Sequence, residues 1–251
     1  ISKFYMNARV HRIYAGSNMS RDNLAGLINL FSRDIFTFDH GGEDLIGRMY
    51  EYFIGEFANS EGKRGGEYFT PVSIVRLLVA MLEPKQGVVL DPCCGSGGMF
   101  VQSDAFTKHS GNLSFFGQES KDFTYRLCRM NLFIHGLDGN IKLGNSYIDD
   151  QHADVKADYV IANPPFNDGA KSEGGWGADK VPDKDARLSL PGSNDRFTLS
   201  PRNANTMWIL HFLHSLASGG RAGFVMATGE LSSMQIARLE VRQALVENDY
   251  V

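Results

Sequence analysis

Cysteine is scarce: three residues in a chain of 251. Cys93 and Cys94 are adjacent and Cys128 stands alone. That pattern excludes a disulfide framework and any zinc-ligand spacing, and it suits a reducing, cytoplasmic compartment. Apolar runs long enough to cross a membrane are missing, and so is a signal-peptide pattern, so no membrane partner is expected. Positive charge is not in excess, since 25 Lys and Arg face 29 Asp and Glu for a net charge of -4. A generally basic nucleic-acid coat is thereby excluded, and any nucleic acid must be met through a local patch or a basic partner. No solenoid-type repeat, helix-turn-helix signal or basic stripe is found. The chain also lacks an initiating methionine. It opens at Ile1 and stops on "ENDYV", so the expectation is a fragment of a longer protein.

What is present is an ordinary globular mixture, 43% hydrophobic and 22% charged. The first part reads as helical. Leu24, Leu27, Ile28 and Phe31 recur at helical spacing, and residues 45–57 form an amphipathic helix through Leu45, Ile46, Met49, Tyr50, Phe53, Ile54 and Phe57. Glycine and charge break the pattern over "ANSEGKRGGEYFTP". Thr70 as N-cap and Pro71 in the first turn then open a helix carrying "SIVRLLVAML". From Gly87 short apolar runs alternate with helical segments: "GVVLD", "LSFFGQE", "NIKLGN", "ADYVIAN" and "GGRAGFVMA" as strands, with helices between and after them. Repeated βα units predict an α/β fold, a Rossmann-like doubly wound parallel sheet. The expected division is residues 1–64 as the end of a helical domain and 65–251 as the α/β domain. Residues 167–202 show no periodicity, and the run reads either as disordered or as a functional lid.

Three features on this sheet carry chemistry. In "VVLDPCCGSGGMF" a strand ends at Asp91, and a loop with Gly95, Gly97 and Gly98 leads into a helix. Such a turn exposes backbone N–H groups and lets a ligand approach closely. Its spacing is not GxGxxG, and no Lys-Ser/Thr follows to make a P-loop. An ordinary βα turn fits it about as well as a cofactor loop. Glu119 ends the next strand about 20 residues on, where an acidic side chain meets ribose hydroxyls. Asn145, after the third strand, is either a turn residue or a partner for an adenine edge. The fourth strand ends in Asn163-Pro164-Pro165-Phe166. Proline fixes φ and pushes the residue before it to extended geometry. The Asn163 side-chain oxygen and the Pro164 carbonyl can together accept both hydrogens of an NH₂ group, while Phe166 offers a face for stacking a base.

"NPPF" with "DPCCGSGG" resembles S-adenosylmethionine-dependent methyltransferases that act on exocyclic amines. "GEYFTP", placed before the glycine loop, resembles the adenine-specific DNA methyltransferases whose cofactor motifs precede the catalytic one. The longer stretch from Leu45 to Pro71 is similar to the modification subunit of type I restriction–modification systems. The resemblance runs from about Leu45 to the C-terminus. It implies that Glu67, Tyr68, Phe69, Thr70 and Pro71 wrap the amino-acid part of S-adenosylmethionine. It implies that Asp91, Cys93, Gly95, Ser96, Gly97 and Gly98 belong to its methionine side, and that Glu119 holds the ribose. Asn145 stands where many relatives carry Asp. Asn163, Pro164, Pro165 and Phe166 form the implied catalytic site for adenine. "MATGELSS" follows the family pattern only loosely, and no substrate residues are assigned there.

The implied reaction is methylation of the adenine amino group in double-stranded DNA, with the base flipped out of the duplex. The sulfonium methyl carbon is already electrophilic, so no metal is expected. The implied partners are a specificity subunit, a restriction subunit and a second modification subunit. Trp176, within 167–202, is a candidate for closing over the DNA. The rival readings are a methyltransferase acting on protein glutamine or RNA, and a non-catalytic nucleotide-binding subunit.

Overall fold

The computed structural model describes Ser20, Asp22, Ala25, Gly26, Asn29, Gly47 and residues 49–56, 70–165, 181–182, 184–194, 196–200 and 204–251. The chain divides into two compact units, Ile1–Met49 and Tyr50–Val251. In the first, Asp22, Ala25, Gly26 and Asn29 are helical. The boundary expected at residue 64 falls outside the described residues.

The second unit opens with a helical stretch over 50–56, tied down where the Tyr50 hydroxyl donates to the Leu127 carbonyl at 2.8 Å. Next come α1 (Val72–Leu82), β1 (Gly87–Asp91), α2 (Gly98–Phe106), β2 (Leu113–Glu119), α3 (Asp122–Ile134), β3 (Gly139–Leu143) and β4 (Ala157–Ala162). After them follow a single 3₁₀ turn at Ala186–Leu188, α4 (Asn205–Ser215), β5 (Leu216–Phe224), α5 (Gly229–Ser232) and α6 (Ile236–Glu247). The five strands pair in parallel in the order β3-β2-β1-β4-β5. This is the doubly wound arrangement that the alternating pattern predicts.

Side-chain alternation explains why the strands are apolar throughout. Val89 and Ile161 enter one core with Val75, Leu78, Val79 and Leu82 of α1, Phe100 of α2 and Leu132 of α3. Their neighbours Leu90, Val160 and Ala162 enter the other with Met207, Leu210 and Phe212 of α4 and Val241 and Leu245 of α6. A parallel sheet covered on both faces needs apolar residues at both parities.

Three expectations are corrected. The cap of α1 is Pro71, whose carbonyl accepts from the N–H groups of Ile74 and Val75, and Thr70 makes no side-chain cap bond. β5 starts at Leu216, directly after α4, and reaches its ladder through an irregularity opposite Ala157–Tyr159. Gly219 has φ +77°, and a Cβ at Gly220 would lie 2.7 Å from the Ala157 carbonyl, so "LASGG" is a bent strand entry with little strand-forming propensity.

The third correction concerns 167–202. Residues 166–180 lie outside the described residues, Trp176 among them. The remainder is not structureless: Val181, Leu190 and Leu199 are buried, Ser189 and Arg196 form an antiparallel bridge, and the Phe197 N–H donates to the Leu188 carbonyl at 2.7 Å. This segment is held by single long-range contacts, which leave no periodic trace in sequence.

Candidate active site

In the sheet order the direction of winding reverses between β1 and β4, and a crevice opens there at the carboxyl ends of the strands. A small cleft occupies that place, walled by the loop after β1, by Asn163 after β4 and by Thr70 ahead of α1. Asp91, Cys93, Gly95, Ser96 and Gly98, all anticipated from sequence, line it. Cys94 and Met99 line it as well and were not anticipated. Their only signal was adjacency to the glycine loop.

The loop geometry follows from its glycines. Gly97, with φ +81°, caps α2 from the left-handed region, and a Cβ there would sit 2.8 Å from Cys128 Sγ. Gly97 is therefore required by both conformation and space. Gly98 differs: a Cβ there would meet no heavy atom within 4 Å among the described residues. Its missing side chain keeps the cleft wall open.

Two carboxylates stand behind the loop. Asp91 is buried, and burial raises its pKa from 3.8 to about 7. Bonds from the Cys93 N–H, at 3.0 Å, and the Cys93 thiol pull the other way, and the negative charge of Glu119 adds to the rise. Glu119 is also raised, chiefly by burial. Its Oε2 accepts from the Gly95 N–H at 3.1 Å and its Oε1 from the Lys121 N–H at 2.8 Å. Oε1 also accepts from the Ser120 hydroxyl at 3.4 Å, so of the two oxygens, each with two lone pairs, it is Oε2 that retains accepting capacity. Burial likewise pushes the Cys93 thiol up, with Asp91 adding to it, while the nearby Asn163 backbone N–H acts in the opposite direction.

Asn163 is half-buried, Pro164 buried and Pro165 exposed. Asn163 Nδ2 donates to Thr70 Oγ1 at 3.0 Å, while its Oδ1 is a buried acceptor with no hydrogen-bond partner among the described residues. Thr70 therefore reaches the site through Asn163. Asn145 behaves as a turn residue: its Oδ1 accepts from the Tyr147 N–H at 3.0 Å, and its carbonyl from the N–H groups of Ile148 and Asp149. Pro71 is exposed at the head of α1. Glu67, Tyr68, Phe69 and Phe166 lie outside the described residues.

Glu230, in the "MATGELSS" stretch, is buried. It accepts from Asn205 Nδ2 at 2.7 Å and pairs with Arg238 at 2.9 Å, so it braces α5 against α4 and α6. Among the described residues no group of three or more His, Cys, Asp or Glu is placed to hold a metal ion, and no helix is long and apolar enough to cross a membrane.

Residues 41–251 match the N-6 DNA methylase family. The type I restriction enzyme MjaIX methylase subunit of Methanocaldococcus jannaschii is 44% identical over 96% of this chain and 43% of its own length. The HindI methylase subunit of Haemophilus influenzae is 39% identical over 94% of this chain and 54% of its own length. The crystal structure of the type I restriction-modification system methyltransferase subunit from Streptococcus thermophilus is similar with a TM-score of 0.69 and 28% identity, over 80% of this chain and 43% of that one. The chain spans about half the length of the curated relatives it matches. With the family match running through both the glycine loop and the β4 rim, the chain belongs to the N-6 DNA methylase family.

Proposed function

We propose that this chain carries the catalytic domain of an adenine-specific DNA methyltransferase, the modification subunit of a type I restriction–modification system. The observation that carries the reading is Asn163 Oδ1, buried in the wall of the glycine-loop cleft with no partner among the described residues. A buried acceptor without a partner costs about 1–3 kcal/mol. An amino group placed there removes that cost.

S-adenosylmethionine fits the cleft by three observations. Gly98 leaves open space, Asp91 and Glu119 offer buried carboxylates that a cationic ligand would favour, and Glu119 Oε2 keeps acceptor capacity for a ribose hydroxyl. Bound there, S-adenosylmethionine supplies an electrophilic methyl group. Asp91, Cys93, Gly95, Ser96, Gly97 and Gly98 are its proposed methionine-side wall, with Glu119 for the ribose. Glu67, Tyr68, Phe69, Thr70 and Pro71 are proposed for the amino-acid end and Asn145 for the adenine end.

The chain's own work is positioning and electrostatics. Asn163 Oδ1 and the Pro164 carbonyl accept the two hydrogens of the adenine NH₂, which directs its lone pair away from them. Thr70 holds the Asn163 amide in the required orientation. Phe166 stacks the flipped base and replaces the stacking lost on extrusion. No general base is required to activate the amine, because both hydrogens stay on nitrogen during attack; the methylated nitrogen would then release one of them as a proton to solvent. Sequence reading is assigned to a separate specificity subunit, with a second modification subunit and a restriction subunit completing the complex. The three cysteines are all unpaired thiols, which supports a reducing, cytoplasmic setting.

The test is a labelled-methyl assay with the full-length protein on duplex DNA, with and without its specificity subunit. Label on adenine N6, dependent on that subunit, is the expected outcome. Label confined to protein or RNA overturns the substrate assignment. Calorimetry without S-adenosylmethionine binding favours a non-catalytic subunit.

A further inference from the structure

The segment that returns toward α4 after the β4 rim carries an arginine whose surroundings are unusual. Arg187 sits in the 3₁₀ turn and is 8% exposed. All five of its N–H donors are used. Nε and one Nη2 hydrogen hold the two oxygens of Asp185, at 3.0 and 2.7 Å. The second Nη2 hydrogen goes to the Tyr147 carbonyl at 2.8 Å. Nη1 donates to the Ser146 carbonyl at 2.6 Å and to His211 Nδ1 at 2.8 Å. Since Arg only donates, His211 accepts through Nδ1 and is neutral, in keeping with burial that drives its pKa down to about 4.

A buried ion pair is a poor source of stability, because desolvation consumes most of the attraction. What this fork secures is geometry. It grips two consecutive carbonyls in the turn just beyond β3, and the Ser146 hydroxyl donates in turn to the Pro92 carbonyl at 2.6 Å. Pro92 joins Asp91 to Cys93 at the head of the cleft loop. The turn's first residue is Asn145, its Oδ1 already committed within the turn. One side chain thus links the stretch downstream of the β4 rim to the backbone behind the cleft.

We propose that Arg187 is a positioning residue for the cofactor cleft: by clamping the Ser146 and Tyr147 carbonyls, and through Ser146 the Pro92 carbonyl, it sets the loop geometry on which binding of the adenosyl ligand depends. This rests on the S-adenosylmethionine reading above. A lysine keeps the charge but cannot grip two carbonyls, a carboxylate and an imidazole at once.

The experiment measures S-adenosylmethionine affinity by calorimetry, thermal stability, and the kcat and KM of methylation for the full-length protein with its specificity subunit. The variants are Arg187→Lys, Ser146→Ala and their combination. Val241→Ala, in the core on α6, is the stability control. Arg187→Lys is expected to raise the cofactor Kd and KM about tenfold, with kcat at saturating cofactor changed less than about threefold. Ser146→Ala is expected to move Kd in the same direction by less, and the two effects to combine non-additively. Val241→Ala is expected to lower Tm with Kd unchanged. Should Arg187→Lys not fold, a raised Kd in Ser146→Ala still supports the relay and an unchanged one overturns it. A cofactor Kd within twofold of wild type in Arg187→Lys, with only Tm lowered, makes Arg187 a stability residue and overturns the inference. Wild-type protein that binds no S-adenosylmethionine overturns the proposed function, and this inference with it.

Discussion

Thr70 accepts a hydrogen bond from Asn163 Nδ2 at 3.0 Å across 93 residues of chain. The bond fixes which end of the Asn163 amide faces the threonine and leaves Oδ1 as the buried acceptor. Thr70→Val removes that anchor at near-constant volume. The expected result is a loss of methylation kcat of about tenfold or more, a stability change of about 1 kcal/mol, and recovery in Thr70→Ser. Steady-state kinetics with a melting curve read both. Wild-type turnover in Thr70→Val removes Thr70 from the site.

Gly98→Ala separates space from strain. Among the described residues the added methyl meets no heavy atom within 4 Å beyond its own helix backbone and chain neighbours, and Gly98 is the first residue of α2. Thermal stability should hold or rise by up to about 1 kcal/mol, since Ala is the better helix former. Cofactor affinity should fall, because the methyl occupies the cleft wall. Calorimetry beside differential scanning shows whether the two observables part in this way.

Gly97→Ala carries the opposite signature. Its φ of +81° penalises any L side chain by about 1–2 kcal/mol, and the new Cβ would meet Cys128 Sγ at 2.8 Å. The variant should be clearly destabilised. Adding Cys128→Ala should restore the steric part and leave the conformational part. A double-mutant cycle by chemical denaturation that comes out additive would remove the crowding argument.

Asp91 makes pH a probe. Its folded pKa, about 7, lies above the ordinary 3.8, so between these values the folded protein holds a proton that the unfolded chain has lost. Stability should therefore fall as pH rises from about 4 to 7 and level off beyond, and Asp91→Asn should flatten that slope. A cationic ligand favours the carboxylate, so cofactor affinity should rise through pH 7 with proton release. Calorimetry in buffers of differing ionisation enthalpy detects the proton, and identical affinity at pH 6 and 8 would count against Asp91 facing the ligand's charge.

The sheet was legible because "VVLD" and "YVIA" are apolar at both parities and bounded by glycine or polar residues. That texture belongs to a strand buried on both faces, and the structure puts alternate residues in two cores. The placing of the glycine loop, Glu119 and Asn163 along one rim was legible because each ends or follows a strand of a parallel sheet, whose carboxyl ends share one edge. Thr70 was misread because a threonine before proline is a strong local cap signal, whereas its partner lies far along the chain. Arg187 was invisible for a related reason. An arginine in a stretch without periodicity reads as surface, and only the turn beyond β3 gives it carbonyls to hold.

The placement of β4 beside β1 bears on how the chain comes together. Val89 pairs with Tyr159 and Leu90 with Val160, so the two walls of the cleft meet only through contacts some 70 residues apart. A chain emerging in order can build β1, β2 and β3 by short-range steps, while β4 must return across them and closes late. Until that return, the glycine loop has one wall and Asn163 has no Thr70. Ligand affinity is thus a report on the pairing of β4 with β1. A ligand that binds only the closed form will slow its loss, acting as a latch on the most distant contact in the sheet.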